Sequence, residues 1–359
     1  MNKLVLRFDW LMFGAVVCLL IFGLLIIRSI APAVFLEQLI FAILGLGLFF
    51  LFSQIDWRIY SRFAWPLYIV SLLILGVTFI FGTISRGAIR WIQIGGLTIQ
   101  PSELAKPLLI LFFAYFFSQE ENINISRVLW GSLLLLLPAL LVFAQPDLGS
   151  AIVIGLFWLA IVLGAGLGWR WLAAGGGIVC LALPIIWRFL KGYQKQRIYT
   201  FLNPSLDPLN AGYNVIQSII AVGSGQLFGR GLGMGTQSHL RFLPERHSDF
   251  IFASVAEELG FLGMGALLFI FALLLWRILR VAQNVNDRFA MLTCLGVFAM
   301  IFSQFFINAG MNLGLLPVTG ITLPLVSSGG SSLVAILISL GIIENVAGFI
   351  GRNEVKYLV

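Results

Sequence analysis

The sequence predicts an all-α integral membrane protein with about ten transmembrane helices, both termini cytoplasmic, and one large extracytoplasmic loop at 188–249. Three observations carry this expectation. Of the 359 residues, 60% are hydrophobic and 10% are charged, and mean hydropathy is +1.02; a soluble domain of this length needs more charge to cover its surface. Apolar runs of about 20 residues, each long enough to cross a hydrocarbon core as a helix, recur along the whole chain. The runs are continuous rather than alternating, which favours helices over barrel strands.

In order, the runs fall near 10–28, 33–54, 64–82, 102–118, 128–144, 149–168, 170–187, 250–276, 289–310 and 331–350. The first starts near Asp9; it is too long for a signal peptide, and no small-residue cleavage pattern follows it. Gln145-Pro146-Asp147 breaks the apolar stretch 128–168, and a proline beside a charge predicts two helices joined by a turn. Residues 311–330 carry Pro317, Pro324, Gly329 and Gly330 but no charge, which suggests a segment dipping back into the outer half of the membrane. Irregular backbone there is tolerated only under a cover of protein or water. No internal repeat stands out, no soluble domain is expected at either end, and 1–359 reads as one membrane domain.

Orientation follows from Lys and Arg in short loops. With the N-terminus inside, the cytoplasmic side holds Lys3, Arg7, Arg58, Arg62, Arg127, Arg170, Arg277, Arg280, Arg288, Arg352 and Lys356, and the short outer loops hold Arg28, Arg86 and Arg90. The net charge of +7 suits anionic lipid surfaces. It is spread between short loops, which argues against nucleic-acid binding. Cys18, Cys180 and Cys294 all lie in apolar runs and read as small buried hydrophobes; their odd number and wide spacing argue against disulfides or a zinc site.

Several polar residues stand out. Glu103 and Lys106 are three apart on a helix that starts near Pro101, so they share a face, with Lys106 about one turn inside the membrane. They form either an ion pair locking two helices or a polar cavity in which Lys106 faces an anion. Asp249 directly precedes an apolar run, where a carboxylate can cap a helix or accept a proton from a substrate hydroxyl. Asp147 is either a helix cap or part of the same outer polar site. Glu257 and Glu258, two turns further in, suggest a cavity, ion coordination or a buried partner, with a structural role favoured. The glycine-rich stretch 223–235 lacks the strand–turn–helix setting of a nucleotide loop and reads as close packing over the outer surface. His239 and His247 lack metal-ligand spacing. Small residues Ala253, Ala256, Gly260 and Gly263, with Gly296 and Ala299, form a stripe that suits either a partner helix or packing within the chain.

Arg86-Gly87-Ala88-Ile89-Arg90-Trp91, the stretches 100–106, 145–149, 226–237 and 244–252, and Pro317 to Gly330 with Ser327-Ser328-Gly329-Gly330 occur in one order along almost the whole chain. Together they resemble the SEDS family of bacterial envelope proteins (shape, elongation, division and sporulation), and its elongation branch most. Ser248 stands where many relatives have Thr, and the hydroxyl is retained. The resemblance implies a peptidoglycan glycosyltransferase of the bacterial cytoplasmic membrane that polymerises lipid II on the outer face, partnered by a class B penicillin-binding protein. It implies that Asp249 matches the family's essential loop aspartate, and Glu103 and Lys106 its cavity pair. Asp249 is then the candidate base. Lys106, Arg90 and Arg197 are candidate cations for the substrate's phosphates, Asp147 and His247 are further candidate substrate contacts, and a divalent cation such as magnesium could assist. Two alternatives stay open: a lipid II flippase, which calls for polar groups at the midplane, and a noncatalytic scaffold for the penicillin-binding protein.

Overall fold

The computed structural model describes residues 8–356 apart from 86–87, 95–96, 122, 169, 172, 174, 178–180, 182–183, 185–186, 189–191, 205–210 and 241. Its helices are α1 (Trp10–Ile30), α2 (Pro32–Gln54), α3 (Trp57–Arg62), α4 (Ala64–Phe81), α5 (Pro101–Ser118), α6 (Ile125–Ala144), α7 (Leu148–Gly164), α8 (Gly192–Leu202), α9 (Ala211–Ser224), α10 (Thr236–His239), α11 (Ile251–Asn284), α12 (Arg288–Asn312) and α13 (Gly330–Lys356). Among the described residues, 7 helices are long and apolar enough to cross a membrane, and α7 is a shorter apolar helix. The chain is a multi-pass membrane protein. The expected span at 170–187, with Cys180, falls largely outside the described residues, as do Lys3, Arg7 and Arg86.

Helix ends follow local chemistry. Pro32 and Pro101 occupy first-turn positions, where a missing N–H costs nothing. Asp9, Asp147 and Asp287 accept from the backbone N–H three residues on, capping α1, α7 and α12. The expected break at Gln145-Pro146-Asp147 is therefore a turn between two capped helices. Helix α5, which carries Glu103 and Lys106, is enclosed by α4, α7, α12 and α13, so its polar residues face protein, not lipid.

Two features depart from expectation. The fold is not purely helical: β1 (Thr83–Ser85), β2 (Ala88–Ile94) and β3 (Leu97–Ile99) form a three-stranded antiparallel sheet between α4 and α5. The β-branched and aromatic content of Ile89, Trp91, Ile92 and Ile94 favours the pleated conformation, in a stretch too short to signal a span. Cys18 is exposed on α1, while Cys294 is buried; a thiol is apolar enough to face lipid. Of the two readings left open for the small-residue stripe, the contacts within the chain support internal packing. Ala253 and Ala256 are buried, Gly296 fits against Ile110 and Ile161, and Gly260 sits on the backbone of Phe228 and Gly229.

The alternating helices give the bundle two polar ends. At one, Arg277 Nε donates to Asp9 Oδ2 at 2.5 Å, the Asp9 N–H donates to Glu344 at 2.7 Å, and Arg288 donates to the carbonyls of Glu121 and Ala165. The other end gathers the sheet, Asp147, Asp249 and the irregular residues 313–329. The protein cover that irregular backbone in 311–330 requires is present: Ile321, Leu323, Leu325, Val326 and Ser327 are all enclosed, and the Val326 backbone lies against Gly23 of α1.

The longest helix, α11, is broken at Gly260, whose φ of 64° and ψ of −163° are accessible to glycine alone. The break strips helical partners from neighbouring backbone groups, and the glycine-rich loop supplies them. Phe261 and Leu262 donate to the carbonyls of Gln226 and Leu227, and Arg230 and Gly231 donate to the carbonyls of Glu257 and Glu258. A β-carbon on Gly260 would collide with the Gly229 nitrogen. Gly260→Ala should therefore lower stability by at least about 2 kcal/mol through backbone strain alone, read as a fall in Tm in detergent. Gly14→Ala, where a β-carbon meets nothing within 4 Å, should be neutral or slightly stabilising.

Candidate active site

A cavity of about 270 Å³ opens at the end of the bundle that holds Asp249. Its wall includes Glu37 and Gln38 from the first turns of α2, Trp91, Gln93 and Thr98 of the sheet, Gln100 before α5, Glu245 to Asp249 apart from Arg246, and Gly320, Thr322 and Ser328 to Gly330. Four helices, α2, α5, α11 and α13, thus begin at this cavity.

Asp249 lies one residue before Phe250, the N-cap position of α11, and no side chain of that position caps the helix. Its backbone is held from a different direction. The carbonyl of Asp249 accepts from Asn308 Nδ2 and from Asn312 Nδ2, each at 2.9 Å. Asn308 also donates to the Ile321 carbonyl at 2.7 Å, and Asn312 Oδ1 accepts the Ala253 N–H at 3.1 Å. Both asparagines are fully buried. With Gln304 they stand four residues apart on α12, a polar line through an otherwise apolar helix. Neither asparagine was singled out by sequence; the spacing at 304, 308 and 312 was the available signal. Gly320, with φ 76°, leaves room beside the carboxylate: a β-carbon there would sit 3.5 Å from Asp249 Oδ2.

The Ser327-Ser328-Gly329-Gly330 turn closes the opposite wall. Ser327 Oγ donates to the Ser248 carbonyl at 2.6 Å and accepts from the Leu323 N–H at 2.8 Å. The Ser328 N–H donates to the His247 carbonyl at 2.8 Å. Gln38 grips both sides of the turn, donating to Ser327 O and accepting from the Gly329 N–H. His247 therefore enters the site through its backbone, and it lines the cavity as well.

The remaining candidates fall into separate places. Asp147 does two jobs: Oδ1 caps α7 through the Ser150 N–H at 3.1 Å, while Oδ2 accepts from Gln100 Nε2 at 2.9 Å and Ser102 Oγ at 3.0 Å. Arg90 Nε donates to the Gln145 carbonyl at 3.2 Å, which ties the sheet to the same corner. Lys106 Nζ lies 2.6 Å from Glu103 Oε1, and Lys106 is 1% exposed; it is not among the residues lining the cavity. Arg197 lies on α8, also away from the cavity wall. Glu257 and Glu258 hold the outer loop. Glu257 accepts from the N–H groups of Gln237 and Ser238 and from Ser238 Oγ, and Glu258 accepts from Ser29 Oγ and the Gly233 N–H and contacts His239 Nε2 at 2.9 Å.

Comparison with known proteins places this architecture. The profile of the cell cycle protein family FtsW, RodA and SpoVE matches residues 29–350. The peptidoglycan glycosyltransferase MrdB of Escherichia coli K12 is 42% identical over 310 residues, covering 84% of this chain and 82% of its own. A probable peptidoglycan glycosyltransferase FtsW of Geobacter metallireducens is 36% identical over 359 residues, with 95% of each chain covered. Among solved structures, a chain of a peptidoglycan synthase complex that coordinates polymerization and crosslinking superposes with a TM-score of 0.84 at 34% identity, covering 96% of this chain and 98% of that one. The rod shape determining protein RodA of Thermus thermophilus gives 0.72 at 32% identity, covering 95% and 96%.

Two substitutions test the geometry. Asn312→Leu leaves the Ala253 N–H without its partner and one donor fewer on the Asp249 carbonyl, at a cost of about 1–3 kcal/mol; hydrogen exchange at Ala253 should accelerate while exchange in α13 stays unchanged. Lys106→Met should cost about 3–5 kcal/mol by stranding Glu103, and Glu103→Gln combined with Lys106→Met should restore most of the lost Tm.

Proposed function

The chain belongs to the FtsW, RodA and SpoVE family of cell cycle proteins, and from that membership we propose that the cavity beside Asp249 is the active site of a peptidoglycan glycosyltransferase acting on lipid II. The observation that carries the assignment is the placement of Asp249. Asp249 lines the cavity, its carbonyl is fixed by two buried amides, and Gly320 lies beside its carboxylate.

Lipid II carries its sugars on a lipid pyrophosphate, already a good leaving group. The reaction then needs two things from the protein. An attacking sugar hydroxyl must lose its proton, and Asp249 is the carboxylate placed to take it. Charge must be stabilised on the departing pyrophosphate. The beginnings of α2, α5, α11 and α13 around the cavity contribute to this, because a helix N-terminus carries roughly half a positive charge. Lys106 is held by Glu103 in this state, so it reaches a phosphate only if that pair opens. Arg90 and Arg197 are held as outlying cations toward which the pyrophosphate or lipid end could extend. Among the described residues, no three of His, Cys, Asp and Glu gather closely enough to hold a metal ion unaided. A divalent cation would therefore need the substrate's phosphate oxygens for part of its shell.

The arginine-rich end is read as cytoplasmic, with both termini and about ten spans, which turns the cavity to the outer face. A class B penicillin-binding protein is the proposed partner, supported by the similarity to a synthase complex chain. Lipid II flipping is less well supported: the polar groups gather at one end of the bundle rather than at its midplane.

The test uses purified protein with the partner, labelled lipid II and a gel that resolves glycan strands. Asp249→Asn should lower polymerisation by about 10²–10⁴-fold, the range of a lost general base, with Tm unchanged. Normal glycan products from this variant would remove Asp249 from the catalytic role.

A further inference from the structure

We propose that the glycine-rich loop 225–235 is a membrane anchor that seats its apolar side chains in the outer lipid interface beside α11. The loop carries Leu227, Phe228, Leu232 and Met234, and all four are exposed, Phe228 at 78% and Met234 at 71%. Such a cluster facing water would be an aggregation hazard. Its depth gives it a different environment. The four backbone hydrogen bonds that heal the α11 break fix the loop at the level of Glu257 to Leu262. Glu258 accepts from Ser29, in the last turn of α1, so the loop stands level with the end of a membrane-spanning helix. At the other end of the same two helices, Arg277 meets Asp9. The stretch from Glu258 to Arg277 is about 28 Å at the helical rise per residue, close to the thickness of a hydrocarbon core.

The loop therefore lies at the outer boundary of the hydrocarbon, where backbone survives only if its polar groups are satisfied within the protein. That condition is met by the exchange with α11. The apolar side chains are also continuous with a lipid-facing stripe. Leu262, Phe269 and Trp276, seven residues apart on α11, are all exposed, and Phe261, 69% exposed, adjoins the loop. The one charge in 225–235 is Arg230, which is exposed and suits the lipid phosphate layer directly above such a site. The occupant is the bilayer itself. The glycines let the loop lie flat against the helix break, and its apolar residues hold the base of the large outer loop, and hence Asp249 at the far end of that loop, at a fixed height above the membrane.

The experiment places a nitroxide at Phe228→Cys and, separately, at Met234→Cys in a background with the three native cysteines replaced, reconstituted in lipid nanodiscs. Glu121→Cys serves as a water-exposed reference and Phe269→Cys as a lipid-exposed one. The expected result is oxygen access like that at 269 and loss of access to a water-soluble nickel chelate relative to 121. Nickel access as at 121 would place the loop in water and overturn the proposal. Exclusion of both probes would mean that protein, a second copy or a partner, covers the patch, and overturns it equally. The unsubstituted chain gives an independent reading if labelled variants fold poorly: a photoreactive carbene carried on lipid tails should modify peptides spanning Phe228 and Met234 alongside Phe269, and absence of modification in the loop would refute the anchor.

Discussion

Lipid offers no hydrogen bonds, so every buried backbone N–H and carbonyl in this protein must find its partner inside the chain, and the architecture is arranged around that requirement. Regular helices meet it locally. Two places where the chain leaves the helix are where the structure becomes specific. At Gly260 the freed groups of α11 are taken up by the outer loop, backbone to backbone. In residues 313–329 they are met largely by side chains: Asn308 on the Ile321 carbonyl, Ser327 on the Leu323 N–H, and Gln38 on the Ser327 carbonyl and the Gly329 N–H.

The second solution also builds the cavity. The groups that satisfy the irregular segment are the ones that fix Asp249, Ser248 and His247 by their backbones. Asn308 bonds both Asp249 and Ile321, so the carboxylate and the irregular segment are positioned by one side chain. Ser327 joins the segment to Ser248 in the same way. The buried carboxylates work along similar lines. Glu257 takes three donors from the loop start of α10, and Glu258 binds the loop to α1. An isolated carboxylate in this setting would be costly, whereas one surrounded by donors is a strong tie between chain segments.

Sequence made most of the spans, the break at Gln145-Pro146-Asp147 and the irregular character of 311–330 legible, because each rests on hydropathy or on proline and glycine placement that acts locally. Asp147 and the Glu103–Lys106 pair were visible for the same reason: a charge in an apolar setting demands a partner. The sheet at 83–99 was hidden by its shortness, and Cys18 by the equal comfort of a thiol in protein or lipid. What could not be read were the long-range partners. Asn308 and Asn312 are unremarked amides in a helix until α12 is packed against the start of α11. The glycine-rich loop looked like an outer covering because nothing in residues 223–235 announces the break in a helix some 30 residues away in the chain.

One consequence concerns charge at the cavity. A lysine buried in an ion pair is a poor first contact for a pyrophosphate, and the cavity wall carries three carboxylates, Glu37, Glu245 and Asp249, with no Lys or Arg among its lining residues. The helices α5, α11 and α13 begin within a residue or two of lining residues, so the positive ends of their dipoles offset part of that negative charge and are fixed by the fold. This arrangement suits the chemistry better than a free cation would. The pyrophosphate is anionic before the reaction begins, so a strong counter-ion would hold substrate and product alike and accelerate nothing. Fixed dipoles favour the state in which the departing oxygen carries the most charge only where they face that oxygen. Under the proposed function, Lys106 adds a full charge to the site only if its pair with Glu103 opens.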